Sequence, residues 1–217
     1  MRDVRAGSHL VERAAEVLFE ALDARLRNQL RVSLALSGGR TPWPVFRRLA
    51  EAAIDWGRVD IYQVDERVAP FGDPSRNWTG LDDALLGRVA AVAHPMPVEA
   101  LDLEAASDRY ANELPEALDV IHLGLGEDGH TASLVPGDPV LEVEDRLVAT
   151  TEPYRGHRRM TLTYPALNAA GSLVWIVSGA AQKAAVLERL RAGDADIPAG
   201  RVAQGRAVLV TDEVEGR

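Results

Sequence analysis

The sequence lacks cysteine and has a single lysine among its 217 residues. The lack of cysteine excludes disulfides, thiolate nucleophiles, cysteine-containing zinc sites and iron–sulfur clusters. Long apolar runs are also missing: the longest candidate is Leu173–Val177, far short of the roughly 20 residues that cross a bilayer. The first five residues carry charges without an apolar stretch behind them, so no secretory signal is predicted. We therefore expect a cytoplasmic protein with no membrane partner.

Positive charge is in short supply, since 33 acidic residues outnumber 24 basic ones and the net charge is −9. A broad nucleic-acid surface is excluded by this balance, and an anionic small molecule needs a local basic site. The length and the 47% hydrophobic content predict one domain, residues 1–217, that folds without a metal or disulfide. Either a monomer or a homodimer is compatible with this composition.

Apolar β-type runs alternate with helical patterns along the chain. Ser8 is predicted to cap a helix whose apolar positions recur every fourth residue from Leu10 to Leu30, and Thr41 to cap a second helix with Pro42 at its first position. The other predicted helices are 78–89, 102–118 and 180–190. The predicted strands are 32–36, 59–64, 119–125, 173–178 and 208–211, with 146–151 and 159–164 as candidates for antiparallel additions.

This alternation predicts an α/β fold with a mostly parallel sheet that helices cover on both faces. Ligands of such sheets bind beyond the carboxyl ends of the strands, where the connecting loops converge. The unusual polar motifs of this chain all fall at those ends. We therefore expect a binding site there.

The first motif is the turn from Ser37 to Pro42, Ser-Gly-Gly-Arg-Thr-Pro, which follows a strand and precedes a helix. Glycines allow backbone N–H groups to surround an anion, and the helix start adds partial positive charge, so a phosphate would fit. No Gly-Lys-Ser/Thr follows, which argues against a nucleotide triphosphate. The alternative interpretation is a tight turn that needs glycine only for its geometry.

The second motif is the run Gly-Leu-Gly-Glu-Asp-Gly-His from Gly124 to His130. It matches a dinucleotide-binding pattern, but Glu127 and Asp128 would face the pyrophosphate and Pro136 leaves little room for a helix, so we reject that interpretation. A histidine on a glycine turn can act as a general base near neutral pH, and Asp128 is close enough to orient it. His122 lies within an apolar strand and is predicted to be a core residue.

Further charged and polar residues follow other strands. Asp65 and Arg67 end a strand and Asn77 lies in the next loop, a pattern that suits hydroxyl and phosphate binding but also fits a surface ion pair. Arg159 begins a strand. Lys183, the one lysine, lies at a helix start, where an anionic ligand explains it better than the helix dipole does, although a stray surface lysine is the alternative.

Together these motifs resemble the 6-phosphogluconolactonase family in order and spacing, over about residues 36–187. The resemblance implies a Rossmann-like three-layer αβα sandwich, shared with glucosamine-6-phosphate deaminases and ribose-5-phosphate isomerases. It implies hydrolysis of 6-phospho-D-glucono-1,5-lactone in the oxidative pentose phosphate pathway, with no metal or organic cofactor. It implies His130 as the base, with Asp128 beside it. The residues it implies for binding phosphate, oxyanion or sugar hydroxyls are Ser37, Gly38, Gly39, Arg40, Thr41, Asp65, Arg67, Asn77, Arg159 and Lys183.

Departures from the pattern separate the possible reactions. Deaminases of this fold carry a glutamate immediately before the proline after Asp-Gly-His, and Val135 stands there in this chain, which favours the lactonase. The alternatives are an amino-sugar phosphate deaminase or isomerase with the same fold, and a non-catalytic sugar-phosphate sensor. No DNA-binding module is visible to serve as a sensor's output.

Overall fold

The computed structural model describes residues 1–214, which form ten strands and six α-helices joined by short loops and 3-10 turns. The strands are β1 (Arg2–Arg5), β2 (Val32–Leu36), β3 (Val59–Gln63), β4 (Asp65–Arg67), β5 (Val92–His94), β6 (Val120–Leu123), β7 (Val148–Thr150), β8 (Arg159–Leu162), β9 (Leu173–Val177) and β10 (Ala207–Thr211). The helices are α1 (Leu10–Leu26), α2 (Pro42–Ala50), α3 (Asn77–Ala84), α4 (Leu103–Glu113), α5 (Tyr164–Ala169) and α6 (Ala184–Ala192).

Seven strands form one sheet in the order β1-β10-β9-β6-β2-β3-β5, and every pairing in it is parallel. The central strands β2, β6 and β9 are buried along their whole length, as expected for a sheet covered on both sides. The predicted α/β fold with a mostly parallel sheet is therefore confirmed.

Alternate residues of the strands face two separate cores. Val174 belongs to the core under α1, α2 and α3, whereas its neighbour Trp175 belongs to the core under α4, α5 and α6. Both side chains are fully buried. This alternation produces the three layers, helices then sheet then helices.

A second, three-stranded sheet lies beside the first in the order β4-β8-β7, with antiparallel pairing. The runs near 146–151 and 159–164 are thus antiparallel additions, as the sequence suggested. Their partner β4 was not foreseen. Its register sets Asp65 opposite Thr161 and Arg67 opposite Arg159, which brings two guanidinium groups from distant parts of the chain side by side.

The first helix differs from its prediction at both ends. Ser8 lies in a 3-10 turn, and α1 starts at Leu10 with no side-chain cap. Leu30 lies beyond the helix and is 88% exposed. A spacing of four residues advances about 40° per step on a helix of 3.6 residues per turn, so Leu30 would have reached the opposite face from Leu10.

Other differences involve short elements. The sequence predictions missed the edge strands β1 and β5 and the six-residue helix α5. Thr41 precedes α2 but makes no side-chain cap, because its Oγ1 instead contacts Ser178 Oγ at 2.6 Å. Helix α6 starts at Ala184 and not at Ala180, so Lys183 is the residue before the helix. None of the helices described here combines the length and apolar character of a membrane span.

The order of the strands fixes where loops can gather. From β2 the chain moves outward to β3 and β5 and then returns to β6, which pairs with the other side of β2. The loops that follow β2 and β6 therefore leave the sheet in opposite directions and open a crevice between them. The Ser37 turn follows β2 and the Gly124 turn follows β6.

Candidate active site

A cleft opens at the carboxyl ends of β2 and β6, at the point where the strand order reverses. Eleven of the twelve residues singled out from the sequence line it: Ser37, Gly38, Gly39, Arg40, Thr41, Asp65, Arg67, Asn77, His130, Arg159 and Lys183. The twelfth, Asp128, does not line the cleft and contacts His130. Loops that lie far apart in sequence thus converge on one cavity.

The turn after β2 forms one wall and packs closely against the start of α3. A Cβ added to Gly38 would lie 2.0 Å from Oδ1 of Asn77, so no larger residue fits without moving that amide. The Ser37 side chain is buried, and its Oγ has no hydrogen-bond partner among residues 1–214. The glycine here therefore serves close packing as well as turn geometry, and it leaves a hydroxyl available to a ligand.

His122 lies directly behind this turn. Its Nδ1 accepts a hydrogen bond from the Ser37 backbone N–H at 3.3 Å. Burial lowers the pKa of His122 to about 3, so the ring is neutral at physiological pH. Because Nδ1 is the acceptor, the proton of the neutral ring lies on Nε2. The prediction of a buried core histidine is correct, and the ring also borders the cleft.

His130 follows the turn after β6 and is oriented by its own loop. Its Nδ1 lies 2.5 Å from Oδ1 of Asp128, and the same oxygen accepts the His130 backbone N–H at 3.2 Å. A Cβ on Gly126 would lie 2.1 Å from that Nδ1, so glycine is needed for the ring to take this position. The Tyr154 hydroxyl donates to Oδ2 of Asp128 at 3.0 Å.

The protonation of this group of residues follows from the contacts. Burial works against ionisation of Asp128, but hydrogen bonds from His130 and Tyr154 together with the imidazole charge hold its pKa below the ordinary value. An ionised Asp128 accepts the proton of Nδ1, which leaves Nε2 of His130 as the basic nitrogen. Nε2 has no hydrogen-bond partner in the described part of the chain, and the ring lines the cleft.

The Glu66 carboxylate fixes the opposite wall. It is fully buried and accepts five hydrogen bonds, three from backbone N–H groups and two from side chains. The donors and their distances are Arg67 N (2.8 Å), Asn77 N (2.7 Å), Trp78 N (2.8 Å), Gln63 Nε2 (2.8 Å) and Arg76 Nε (3.3 Å). Two of these N–H groups open α3, so the carboxylate also interacts favourably with the helix dipole. Strand β4 and helix α3 are thereby joined.

Asp65 and Asn77 contact each other as well as the cleft. Asn77 Nδ2 donates to the carbonyl and to Oδ1 of Asp65, at 2.9 and 3.2 Å, and Ser133 Oγ donates to Oδ2 at 2.7 Å. Burial raises the pKa of Asp65, while the Ser133 hydrogen bond and the charges of Arg159 and Arg67 act in the other direction. Through its hydrogen bonds with Asn77 and Ser133, Asp65 holds the His130 loop and α3 together at the floor of the cleft.

Four cations line the cleft: Arg40, Arg67, Arg159 and Lys183. Arg67 donates to the Ser75 carbonyl at 2.5 Å, and Lys183 Nζ donates to the Leu125 carbonyl at 2.7 Å. Burial lowers the pKa of Arg159 and that of Lys183, as expected for cations that are partly removed from water. The hydrogen bond to the Leu125 carbonyl fixes the position of the Lys183 ammonium group. The sequence alone did not indicate this contact.

Unpartnered polar atoms are concentrated around this cavity. Nine buried side-chain N or O atoms have no partner among the described residues, and five of them belong to residues that line the cleft. Those five are Ser37 Oγ, Asn77 Oδ1, His122 Nε2, Thr131 Oγ1 and Arg159 Nε. Since buried polar atoms in folded proteins are normally satisfied, the cleft is suited to a polar ligand. Residues 1–214 contain no group of three or more potential metal ligands.

The sequence predictions missed part of this site. Ser133 belongs to the motif after His130 but was not singled out, and Thr131 lies beside His130 on the same turn. Tyr154 gave no signal, because a single tyrosine in a polar loop carries no spacing pattern. Glu66 lies inside the Asp-Glu-Arg motif, and only the fold shows that its side chain faces away from the cleft into a set of donors.

Known proteins resemble this chain along nearly its whole length. The chain belongs to the family described as glucosamine-6-phosphate isomerases/6-phosphogluconolactonase, whose model matches residues 5–211. Similar proteins include the 6-phosphogluconolactonase of Synechocystis sp., which is 36% identical over 95% of this chain and 92% of that protein. The 6-phosphogluconolactonase of Rhizobium meliloti is 37% identical over 89% and 91%. The crystal structure of 6-phosphogluconolactonase from Thermotoga maritima has a TM-score of 0.88 at 27% identity and covers 97% of this chain and 98% of its own.

The contacts of Glu66 predict a large loss of stability on Glu66→Gln. The amide keeps the shape but turns two acceptor sites into donors that face other donors, and it removes the buried one of the two carboxylates that Arg76 contacts. We expect the free energy of unfolding to fall by about 3–5 kcal/mol, as measured by urea denaturation. Glu99→Gln is the matched control, because Glu99 contacts the same arginine from a half-exposed position and should cost less than about 1 kcal/mol. Equal losses in the two variants would contradict this account.

The buried His122 predicts a dependence of stability on pH. The unfolded chain protonates this ring below its ordinary pKa of 6.5, whereas the folded chain does so only near 3. Its contribution to stability is therefore complete above pH 6.5 and decreases by about 1.4 kcal/mol per pH unit as the pH falls towards 3. Urea denaturation at several pH values should give a shallower slope for His122→Gln than for the parent. His9→Gln, at an exposed position, should keep the parent's slope, and parallel slopes for all three proteins would refute the prediction.

Proposed function

We propose that this protein hydrolyses 6-phospho-D-glucono-1,5-lactone to 6-phospho-D-gluconate, the lactone opening of the oxidative pentose phosphate pathway. One observation carries the proposal: an imidazole whose Nδ1 is held by Asp128 lines a cleft that four cations also line. The family and the names of its similar members support the same reaction. The substrate is an anion with an activated ester, which is what a base beside positive charge can hydrolyse.

The proposed reaction begins with a water molecule between His130 and the lactone carbonyl. Nε2 of His130 takes a proton from this water as its oxygen bonds to the carbonyl carbon, and the carbonyl oxygen becomes an oxyanion. The tetrahedral intermediate then collapses, the bond between that carbon and the ring oxygen breaks, and His130 returns its proton to the departing oxygen. Asp128 keeps its charge throughout and stabilises the imidazolium that forms between the two steps.

Positive charge performs two tasks in this proposal. One is to stabilise the oxyanion, and the other is to hold the phosphate so that the carbonyl faces His130. The turn from Ser37 to Thr41 supplies backbone N–H groups and a free hydroxyl, and Arg40, Arg67, Arg159 and Lys183 supply charge from the other sides. Phosphate binding far from the reacting carbon lowers the entropic cost of the reaction by fixing the ring.

Asp65 and Asn77 complete the proposed site. Their hydrogen bonds to each other and to Ser133 leave Asn77 Oδ1 buried and unpartnered among residues 1–214. We assign this oxygen to a sugar hydroxyl, which donates to it. Asp65 acts mainly by supporting the loop that carries His130.

A cytoplasmic location and a single functional domain over residues 1–217 belong to this proposal. The proposed substrate is a small phosphorylated metabolite, and the net charge of −9 does not favour nucleic acid as a partner. Family membership covers nearly the whole described chain, which fits one catalytic unit.

The family also contains isomerases that act on glucosamine 6-phosphate, as its description states. Val135 is buried and apolar and replaces the glutamate that the deaminases carry, so the chain lacks that acid. The purified protein should therefore open the lactone and release no ammonia from glucosamine 6-phosphate. Ammonia release without lactonase activity would replace the proposed function, and ligand binding without either reaction would indicate a sensor.

Replacement of the base gives a direct test. His130→Ala should reduce the catalysed rate of lactone opening by about two to four orders of magnitude, the usual contribution of a general base. The assay follows acid release at constant pH and subtracts the spontaneous opening of the lactone in buffer. His9→Ala, at an exposed position outside the cleft, is the control and should keep the parent rate. An unchanged rate in His130→Ala would remove this residue from the mechanism.

Replacement of the cations tests ground-state binding. Arg67→Ala and Lys183→Ala should each raise KM more than they lower kcat if they hold the phosphate, because that interaction is present before and during the reaction. Steady-state kinetics over a range of lactone concentrations separates the two constants. Arg48→Ala is a suitable control, since Arg48 pairs with Glu51 on the exposed side of α2. A fall in kcat with unchanged KM would assign the residue to the oxyanion.

A further inference from the structure

We propose that Tyr154 is a positioning residue for the base and for one of the anion-binding cations at the same time. Its hydroxyl holds Asp128, and its ring and backbone carbonyl hold Arg159. The inference rests on the proposed lactone hydrolysis, and it assigns to this loop tyrosine a role that its sequence position does not indicate. Three sets of contacts place Tyr154 in this role.

The first set restrains the Asp128 carboxylate. Oδ1 of Asp128 is engaged by His130 through both Nδ1 and the backbone N–H, and Oδ2 is engaged by the Tyr154 hydroxyl. Burial and the hydrogen bond to Asp128 raise the pKa of Tyr154, so its hydroxyl stays protonated and acts as the donor. With both oxygens held, the carboxylate has one orientation. Without the phenol, Oδ2 is free and the plane of the carboxylate can rotate away from Nδ1.

The second set connects the same side chain to the cation. The Arg159 guanidinium carbon lies 5.1 Å from the centre of the Tyr154 ring, and Nη2 donates to the Tyr154 carbonyl at 3.4 Å. The ring also meets the His130 imidazole edge to face, with 5.8 Å between centres and 65° between planes. Cation–π attraction at a partly desolvated site is favourable, and it restricts where the guanidinium can lie. Tyr154 is therefore in contact with both halves of the proposed machinery.

The third set shows how the backbone presents the ring. Tyr154 and His157 exchange backbone hydrogen bonds of 2.9 and 3.3 Å across a two-residue turn. Both turn residues have positive φ, 49° at Arg155 and 87° at Gly156. Arginine rarely adopts a positive φ. In this turn the Arg155 guanidinium carbon lies 5.1 Å from the centre of the Tyr154 ring. The turn holds the Tyr154 ring close to the guanidinium groups of Arg155 and Arg159 and to the His130 imidazole.

Two variants separate the functions of the side chain. Tyr154→Phe removes only the hydroxyl, and it should lower kcat by about threefold to tenfold, the usual range for one net hydrogen bond, with KM within a factor of two. Tyr154→Leu removes the aromatic face as well, so it should lower kcat similarly and also raise KM several-fold as Arg159 becomes mobile. Far-UV circular dichroism and thermal unfolding of both variants check that the fold is kept.

A double-mutant cycle distinguishes positioning from a general structural effect. If Tyr154 acts through Asp128, Tyr154→Phe should have no further effect on kcat in an Asp128→Ala background, because no carboxylate remains to be held. The same loss in both backgrounds would overturn the proposal, and so would a Tyr154→Phe enzyme with the parent's kcat.

The parent enzyme is measured first, so that the two hypotheses fail separately. A parent without lactonase activity refutes the proposed function. In that case the role of Tyr154 is tested by NMR, because the ¹⁵N shifts of the His130 ring should change in Tyr154→Phe. Unchanged shifts in that variant would refute the positioning role. An active parent with an unaffected Tyr154→Phe variant refutes only the inference about Tyr154.

Discussion

The Glu66 carboxylate and its five donors form the interaction on which the rest of the site depends. A fully buried charge is costly unless every oxygen is satisfied, and here three backbone N–H groups, an amide and a guanidinium supply the hydrogen bonds. The donors come from β3, β4 and the start of α3, so their positions relative to one another are fixed by one group. Arg67 and Asn77 are two of these donors and Asp65 directly precedes Glu66, so all three residues acquire their places around the cleft in consequence. The five hydrogen bonds offset the cost of desolvating this carboxylate, and they order three residues that line the cleft.

Two histidines show how the environment divides one residue type between two tasks. His122 lies within the apolar strand β6, where burial keeps it neutral and its Nδ1 supports the Ser37 turn. His130 lies eight positions later, half-buried beside Asp128, whose carboxylate holds Nδ1 of the ring. The first supports a neighbouring turn as a neutral core residue, whereas the second has no hydrogen-bond partner for its Nε2 among residues 1–214. Strand β6 itself places His122 at the cleft, and the glycine-rich loop that follows this strand places His130 there.

The predictions from sequence were most accurate where a physical signal extended over several residues. The apolar runs of β2, β6 and β9 predicted a buried parallel sheet, and the polar residues at their ends indicated the place at which the loops meet. The predictions failed where the determining contact was long-range. Ser8 and Thr41 are residue types that often cap helices, but Thr41 contacts Ser178 and makes no cap on α2. Leu30 continued a spacing of four residues that a straight helix cannot keep on one face. Tyr154 could not have been identified, because what it does depends on Asp128, which reaches it only through the fold. Ser133 lies in the motif after His130, and only its contact with Asp65 depends on the fold.

The edge strand β1 has a consequence for how this chain folds as it is synthesised. Its only partner in the described structure is β10, some 200 positions later, in the parallel register that pairs Arg2 with Val208. On a ribosome, β1 emerges before β10 and must wait unpaired until β10 leaves the exit tunnel. Contacts of such sequence separation form late, since the entropy of closing the loop must be overcome before they are made. The interior strands can assemble earlier around β2 and β6, so this edge of the sheet closes in the last stage of vectorial folding.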